Sequence, residues 1–115
     1  MRILLVEDEV LVRELAYEDL CDAQHDVQVA ADGDEALGIL QNDLQFDVLV
    51  TDIKMPGSLD GWQLASKAKS MIPGLKVIYA TGLASGERLP DGDWQLTKPY
   101  TEKALVGLIA EIEGA

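Results

Sequence analysis

Short apolar runs alternate along this chain with longer segments of helical spacing, and that alternation constrains the fold more than any other feature. Runs rich in Val, Ile and Leu stand at Ile3–Val6, Val27–Ala30, Val48–Val50 and Val77–Tyr79, with a weaker one at Trp94–Leu96. Runs so short and so apolar predict strands buried on both faces. Between them the apolar residues recur every three or four positions: Val12, Leu15, Ala16, Leu20 and Ala23; then Ala36, Leu37, Leu40 and Leu44; then Gly61, Leu64, Ala65, Ala68 and Ile72. Ala104, Leu105, Leu108, Ile109 and Ile112 continue the pattern near the end. Asp32-Gly33-Asp34-Glu35 is an acidic start for the second helix, and Thr101-Glu102 a start for the last. Strand and helix in strict alternation predict an α/β fold, a doubly wound parallel sheet with helices on both faces and right-handed crossovers. The 115 residues fit one domain, 1–115, with no repeat or linker.

Charge narrows the partners. Nine Lys and Arg against 21 Asp and Glu give a formal net charge of −12. Direct nucleic-acid binding needs a basic footprint, and an anionic membrane surface repels such a chain. The balance favours a cation or a partner with a basic patch. Cys21 is the only cysteine, so neither an internal disulfide nor a thiolate zinc site is expected. No apolar stretch has the length of a signal peptide or a membrane span. A cytoplasmic location is expected.

In a sheet of this type the site forms at the carboxyl ends of the central strands, beside the point where strand order reverses. Those ends carry Glu7-Asp8-Glu9, Asp52, Thr81 and Lys98-Pro99. If the first, third, fourth and fifth strands are neighbours, Glu7, Asp8, Asp52, Thr81 and Lys98 meet in one cleft. Three carboxylates there repel one another, and one would hold a proton unless a cation resolved the conflict. A hard divalent ion such as Mg²⁺ suits oxygen ligands. With Lys98 and the Thr81 hydroxyl, the set can hold a dianionic phosphoryl group, and a carboxylate can itself be the nucleophile.

These residues resemble the receiver domain of two-component response regulators, the CheY-like family, over nearly the whole chain. The resemblance rests on Glu7-Asp8, on Val50-Thr51-Asp52-Ile53-Lys54-Met55-Pro56-Gly57, on Asp60-Gly61, on Ala80-Thr81-Gly82 and on Lys98-Pro99-Tyr100. It implies a five-stranded sheet of order 2-1-3-4-5, flavodoxin-like, an order that receivers are known for. It implies Asp52 as phospho-acceptor from a phosphohistidine on a histidine kinase or histidine phosphotransfer protein. It implies Mg²⁺ (or Mn²⁺) held by Asp8, Asp52 and the backbone carbonyl of Lys54, with Glu7 acting through a water. Lys98 would pair with phosphoryl oxygens, Thr81 would report the phosphoryl group, and Pro99 would follow a cis bond. The domain would be no turnover enzyme: it would catalyse only its own phosphotransfer and dephosphorylation.

The chain departs from the family in places. One extra residue lies between Asp52 and Gly61, and a small bulge is expected there. Gln95 stands three residues before Lys98, where the family carries its switch aromatic. Residues 82–93 hold three Gly and one Pro, which predicts a fourth helix of one or two turns, or a loop. Three rivals remain. A phosphorylation-independent receiver would act by binding alone. A haloacid dehalogenase-type phosphatase needs a second acid where Lys54 stands. A flavin module needs a phosphate-cradling loop where Glu7-Asp8-Glu9 stand. The chain ends just after the last helix at Glu113-Gly114-Ala115, so a stand-alone receiver is expected, with output through protein contact or as a phosphate shuttle.

Overall fold

The structure is a computed structural model. It describes residues 1–81, 93–98 and 101–114, with the side chains of Thr81 and Glu102 outside that description. Five strands, β1 (Arg2–Val6), β2 (Asp26–Ala30), β3 (Val48–Asp52), β4 (Lys76–Thr81) and β5 (Trp94–Thr97), alternate with α1 (Val10–Asp22), α2 (Gly33–Asn42) and α3 (Gly61–Met71); α4 (Glu102–Gly114) follows β5. All strand pairs are parallel, in the order β2-β1-β3-β4-β5. The expected doubly wound α/β sheet is therefore present. The expected short fourth helix falls within 82–92, outside the described residues.

Alternation along each central strand sends side chains to two cores. Leu4, Val6, Leu49, Val77 and Tyr79 pack with Leu40 of α2 and Leu64 and Ala68 of α3. Ile3, Leu5, Val48, Val50 and Ile78 pack on the other face with Ala16 and Leu20 of α1 and Leu105, Ile109 and Ile112 of α4. This two-sided cover explains why β1 and β3 read as continuous apolar runs. β2 departs from the expectation: it lies at the sheet edge, and its residues alternate between exposed and half-buried up to Ala30.

Local chemistry sets the helix ends. The Asp32 carboxylate accepts from the Glu35 N–H at 2.8 Å, and Thr101 Oγ1 accepts from the Ala104 N–H at 3.1 Å, so both expected starts hold. Asp60 and Gln63 close a reciprocal capping box at α3. Two stripe positions differ. Leu44 lies beyond the end of α2, and Leu15 is 47% exposed because α1 turns Ala16 and Leu20, not Leu15, toward the sheet. Leu15 lines a surface groove between α1 and the start of α4 with Val12, Asp19, Thr101 and Leu105.

Candidate functional site

The site is built on β1 and β3, adjacent strands whose carboxyl ends lie level: Val6 pairs with Thr51. One residue past each pair stand Glu7 and Asp52, both buried; Asp8, one further, is exposed. Carboxylate oxygens of Glu7, Asp8 and Asp52 lie within 4.8 Å of one another. Lys98, directly after β5, crosses to them. Its Nζ lies 2.5 Å from Asp52 Oδ1 and 2.6 Å from Glu7 Oε1. Of the sequence-predicted set, Glu7, Asp8, Asp52 and Lys98 therefore converge. Lys54 lies in the loop after β3, two residues past Asp52, with its side chain in solvent. Thr81 ends β4 opposite Thr97, and its hydroxyl lies outside the described residues, as does Pro99.

One ammonium does not balance three acids. Burial first, and then the Glu7 carboxylate, push the Asp52 carboxyl up to about 7, with Lys98 opposing. Burial acts the same way on Glu7, but hydrogen bonds from Asp52, Lys98 and the Glu9 backbone outweigh it and hold Glu7 below the usual carboxylate range. Burial works to lower Lys98, yet its two acidic partners win and raise it. Of the two buried carboxyls, Asp52 is therefore the one whose charged form the cleft disfavours. A cleft that disfavours a carboxylate in this way lacks positive charge, and an all-oxygen donor set fits Mg²⁺.

Sequence reasoning missed the groups that hold this arrangement. Arg13 Nη1 donates to the Glu7 carbonyl at 2.8 Å, and the Glu9 N–H donates to Glu7 Oε2 at 3.1 Å, fixing the β1–α1 turn. The Gly61 N–H donates to the Ile53 carbonyl at 2.7 Å, so the start of α3 rests on the backbone just after Asp52. The loop between bends at Gly57 (φ 100°) and is tied to α2 by the Asp34 carboxylate, which accepts from Ser58 Oγ at 2.6 Å and from its N–H at 3.2 Å. Only the Asp60-Gly61 pair offered any signal in the sequence.

The parallel 2-1-3-4-5 sheet is that of a flavodoxin-like α/β domain, with acids and a lysine gathered at its carboxyl edge. The family model for the response regulator receiver domain matches residues 3–110. The chain belongs to that family. It is similar to the response regulator receiver protein CpdR of Brucella abortus (strain 2308), with 35% identity covering 96% of this chain and 95% of that protein. It is also similar to the receiver domain of the hybrid histidine kinase CckA, with TM-score 0.85 and 36% identity over 96% of this chain and 97% of that one. A receiver protein from Sinorhizobium medicae WSM419 superposes with TM-score 0.89 at 29% identity, covering all of this chain and 95% of that one. Other relatives are longer: the chain spans 24% of the response regulator protein FleR of Pseudomonas aeruginosa. It is thus a two-component receiver and a signalling module. No helix among the described residues is long and apolar enough to cross a membrane.

Proposed function

We propose that Asp52 accepts a phosphoryl group from a phosphohistidine of a histidine kinase or histidine phosphotransfer protein. The observation that carries this reading is the meeting of Glu7, Asp8 and Asp52 within 4.8 Å, with Lys98 against two of them. An ionised Asp52 oxygen attacks phosphorus in line. The new O–P bond forms as the P–N bond breaks, and the electron pair leaves on the imidazole nitrogen, which then takes a proton. Lys98, already placed between Asp52 and Glu7, neutralises a phosphoryl oxygen as Asp52 becomes an acyl phosphate. Glu7, buried and tied to the Glu9 N–H, keeps Lys98 oriented. Asp8 and Asp52, with the Lys54 carbonyl and with Glu7 through a water, would hold Mg²⁺ (or Mn²⁺), which supplies positive charge to the transferring oxygens. The reaction is stoichiometric, so the domain acts as a switch or carrier and turns over no external substrate. A cytoplasmic setting follows from the need for such a partner.

The test is mass spectrometry after incubation with acetyl phosphate and Mg²⁺. One added phosphoryl group, mapped to the peptide containing Asp52 and absent with chelator, is expected; no mass gain rejects the reading. The metal part has its own check. An ion that binds only the folded state at ten times its dissociation constant adds about 1.4 kcal/mol. Millimolar Mg²⁺ should therefore raise Tm by several degrees over the chelated protein, and coincident melts would count against the site.

A further inference from the structure

β5 is four residues long, lies at the sheet edge and, among the described residues, pairs with β4 alone. Its residues Trp94, Gln95 and Leu96 are only half-buried. Yet Lys98, the next residue after this strand, must set its ammonium against Asp52 and Glu7. A slip of one residue reverses every side chain of a strand, and register is strongly specified where one face is buried. Such a slip would turn Lys98 out of the cleft.

The opposite end of β5 carries a clamp. Asp93 immediately precedes the strand, and its side chain is 2% exposed. Lys69 Nζ, from the last turn of α3, donates to Asp93 Oδ2 at 2.5 Å. Tyr79 of β4, itself 1% exposed, is opposite Gln95 in the ladder. Burial, and then the nearby charge of Asp93, raise the pKa of the Tyr79 phenol. Trp62 packs on Tyr79 with ring centroids 4.5 Å apart and the planes tilted by 43°. Trp62 and Lys69 are seven residues apart on α3, hence on one face, and α3 is seated on the backbone after Asp52 through Gly61. A covalent and hydrogen-bonded path thus runs from Asp52 through α3 and Lys69 to Asp93, and along β5 to Lys98.

Asp93 is buried and Lys69 partly exposed; ionic groups taken out of water seldom stabilise more than apolar residues of the same size, and fixing register is their best-attested use. We propose that Asp93, clamped by Lys69, is a positioning residue that pins the register of β5 and thereby holds Lys98 at the phosphoryl-accepting carboxylate. This rests on the reading of Asp52 given above.

The rate of phosphoryl uptake from acetyl phosphate at saturating Mg²⁺ tests it through a double-mutant cycle. Asp93→Asn and, as an independent variant, Lys69→Met should each slow uptake about tenfold, the order of loss that a misplaced charged group causes. Lys98→Ala should slow it more. The Asp93→Asn, Lys98→Ala double variant should be no slower than Lys98→Ala alone, because Asp93 acts through Lys98. Circular dichroism checks that each variant is folded; if Asp93→Asn is not, Lys69→Met carries the same cycle. Uptake at the wild-type rate by the folded clamp variants overturns the proposal, and so do losses that multiply in the double variant. No uptake by the wild-type protein would instead overturn the reading of Asp52, and this inference with it.

Discussion

Asp52→Asn is expected to abolish phosphoryl uptake and, in the metal-free protein, to raise stability at pH 8. The amide nitrogen is no nucleophile toward phosphorus, which accounts for the first effect. The second follows from the charge excess in the cleft. Burial and the neighbouring Glu7 raise the folded-state Asp52 pKa from 3.8 to about 7. Between those values the folded protein keeps a proton that the unfolded chain has released. Stability therefore falls as pH rises from about 4 to 7 and levels above it. A shift of that size corresponds to about 4 kcal/mol at most. Glu7, lowered by its partners, contributes stability that is lost as pH falls below its own range, so it acts at the acid end of this window. Lys98, raised by the same acids, loses its contribution only in strong alkali. The Asn variant lacks this titration and should lose the fall in stability that Asp52 causes between pH 5 and 8. Its Lys98 is not orphaned, since Glu7 still accepts from it at 2.6 Å. Thermal melts in chelator across that range are the measurement. Lower stability of the variant at pH 8 would mean that the Lys98–Asp52 pair outweighs the repulsion.

Gly61→Ala is expected to cost about 3 kcal/mol or more, or roughly 10 °C in Tm for a domain of this size. A Cβ at Gly61 would collide with the Asp52 carbonyl oxygen and stand 2.7 Å from Ile53 Cα. These are backbone atoms, so no side chain can swing aside. Either the start of α3 lifts off β3, breaking the 2.7 Å bond from the Gly61 N–H to the Ile53 carbonyl, or Asp52 shifts. Both outcomes should also slow phosphoryl uptake. Gly38→Ala is the matched control. It lies within α2, and its added Cβ meets nothing within 4 Å. There the same exchange should stabilise by about 0.5–1 kcal/mol, through helix propensity and a less flexible unfolded chain. Equal melts for the two variants would show that the close approach at Gly61 relaxes freely.

Much of the fold was readable before any coordinates. The apolar runs at Ile3–Val6 and Val48–Val50 are buried on both faces of the sheet, because only a doubly covered strand can use so many apolar residues in succession. Asp32 and Thr101 cap helices as their types suggest, since capping is a contact between near neighbours in the chain. The strand-end acids and Lys98 were identifiable once parallel strands placed their carboxyl ends along one edge.

What local pattern leaves open is direction and distance. The stripe through Val12, Leu15 and Ala16 says that α1 has an apolar face, but not which sector the sheet covers; packing buried Ala16 and left Leu15 in solvent. The hydrogen bond of Lys98 with Glu7 joins residues 91 apart. The Gly61 approach to Asp52, and the Lys69–Asp93 pair 24 residues apart, likewise arise only when strands and helices pack. Periodicity of two or 3.6 residues reports on neighbours along an element. The protonation of Asp52 depends on which charges folding brings together and how much water it removes, and those are properties of the packed molecule.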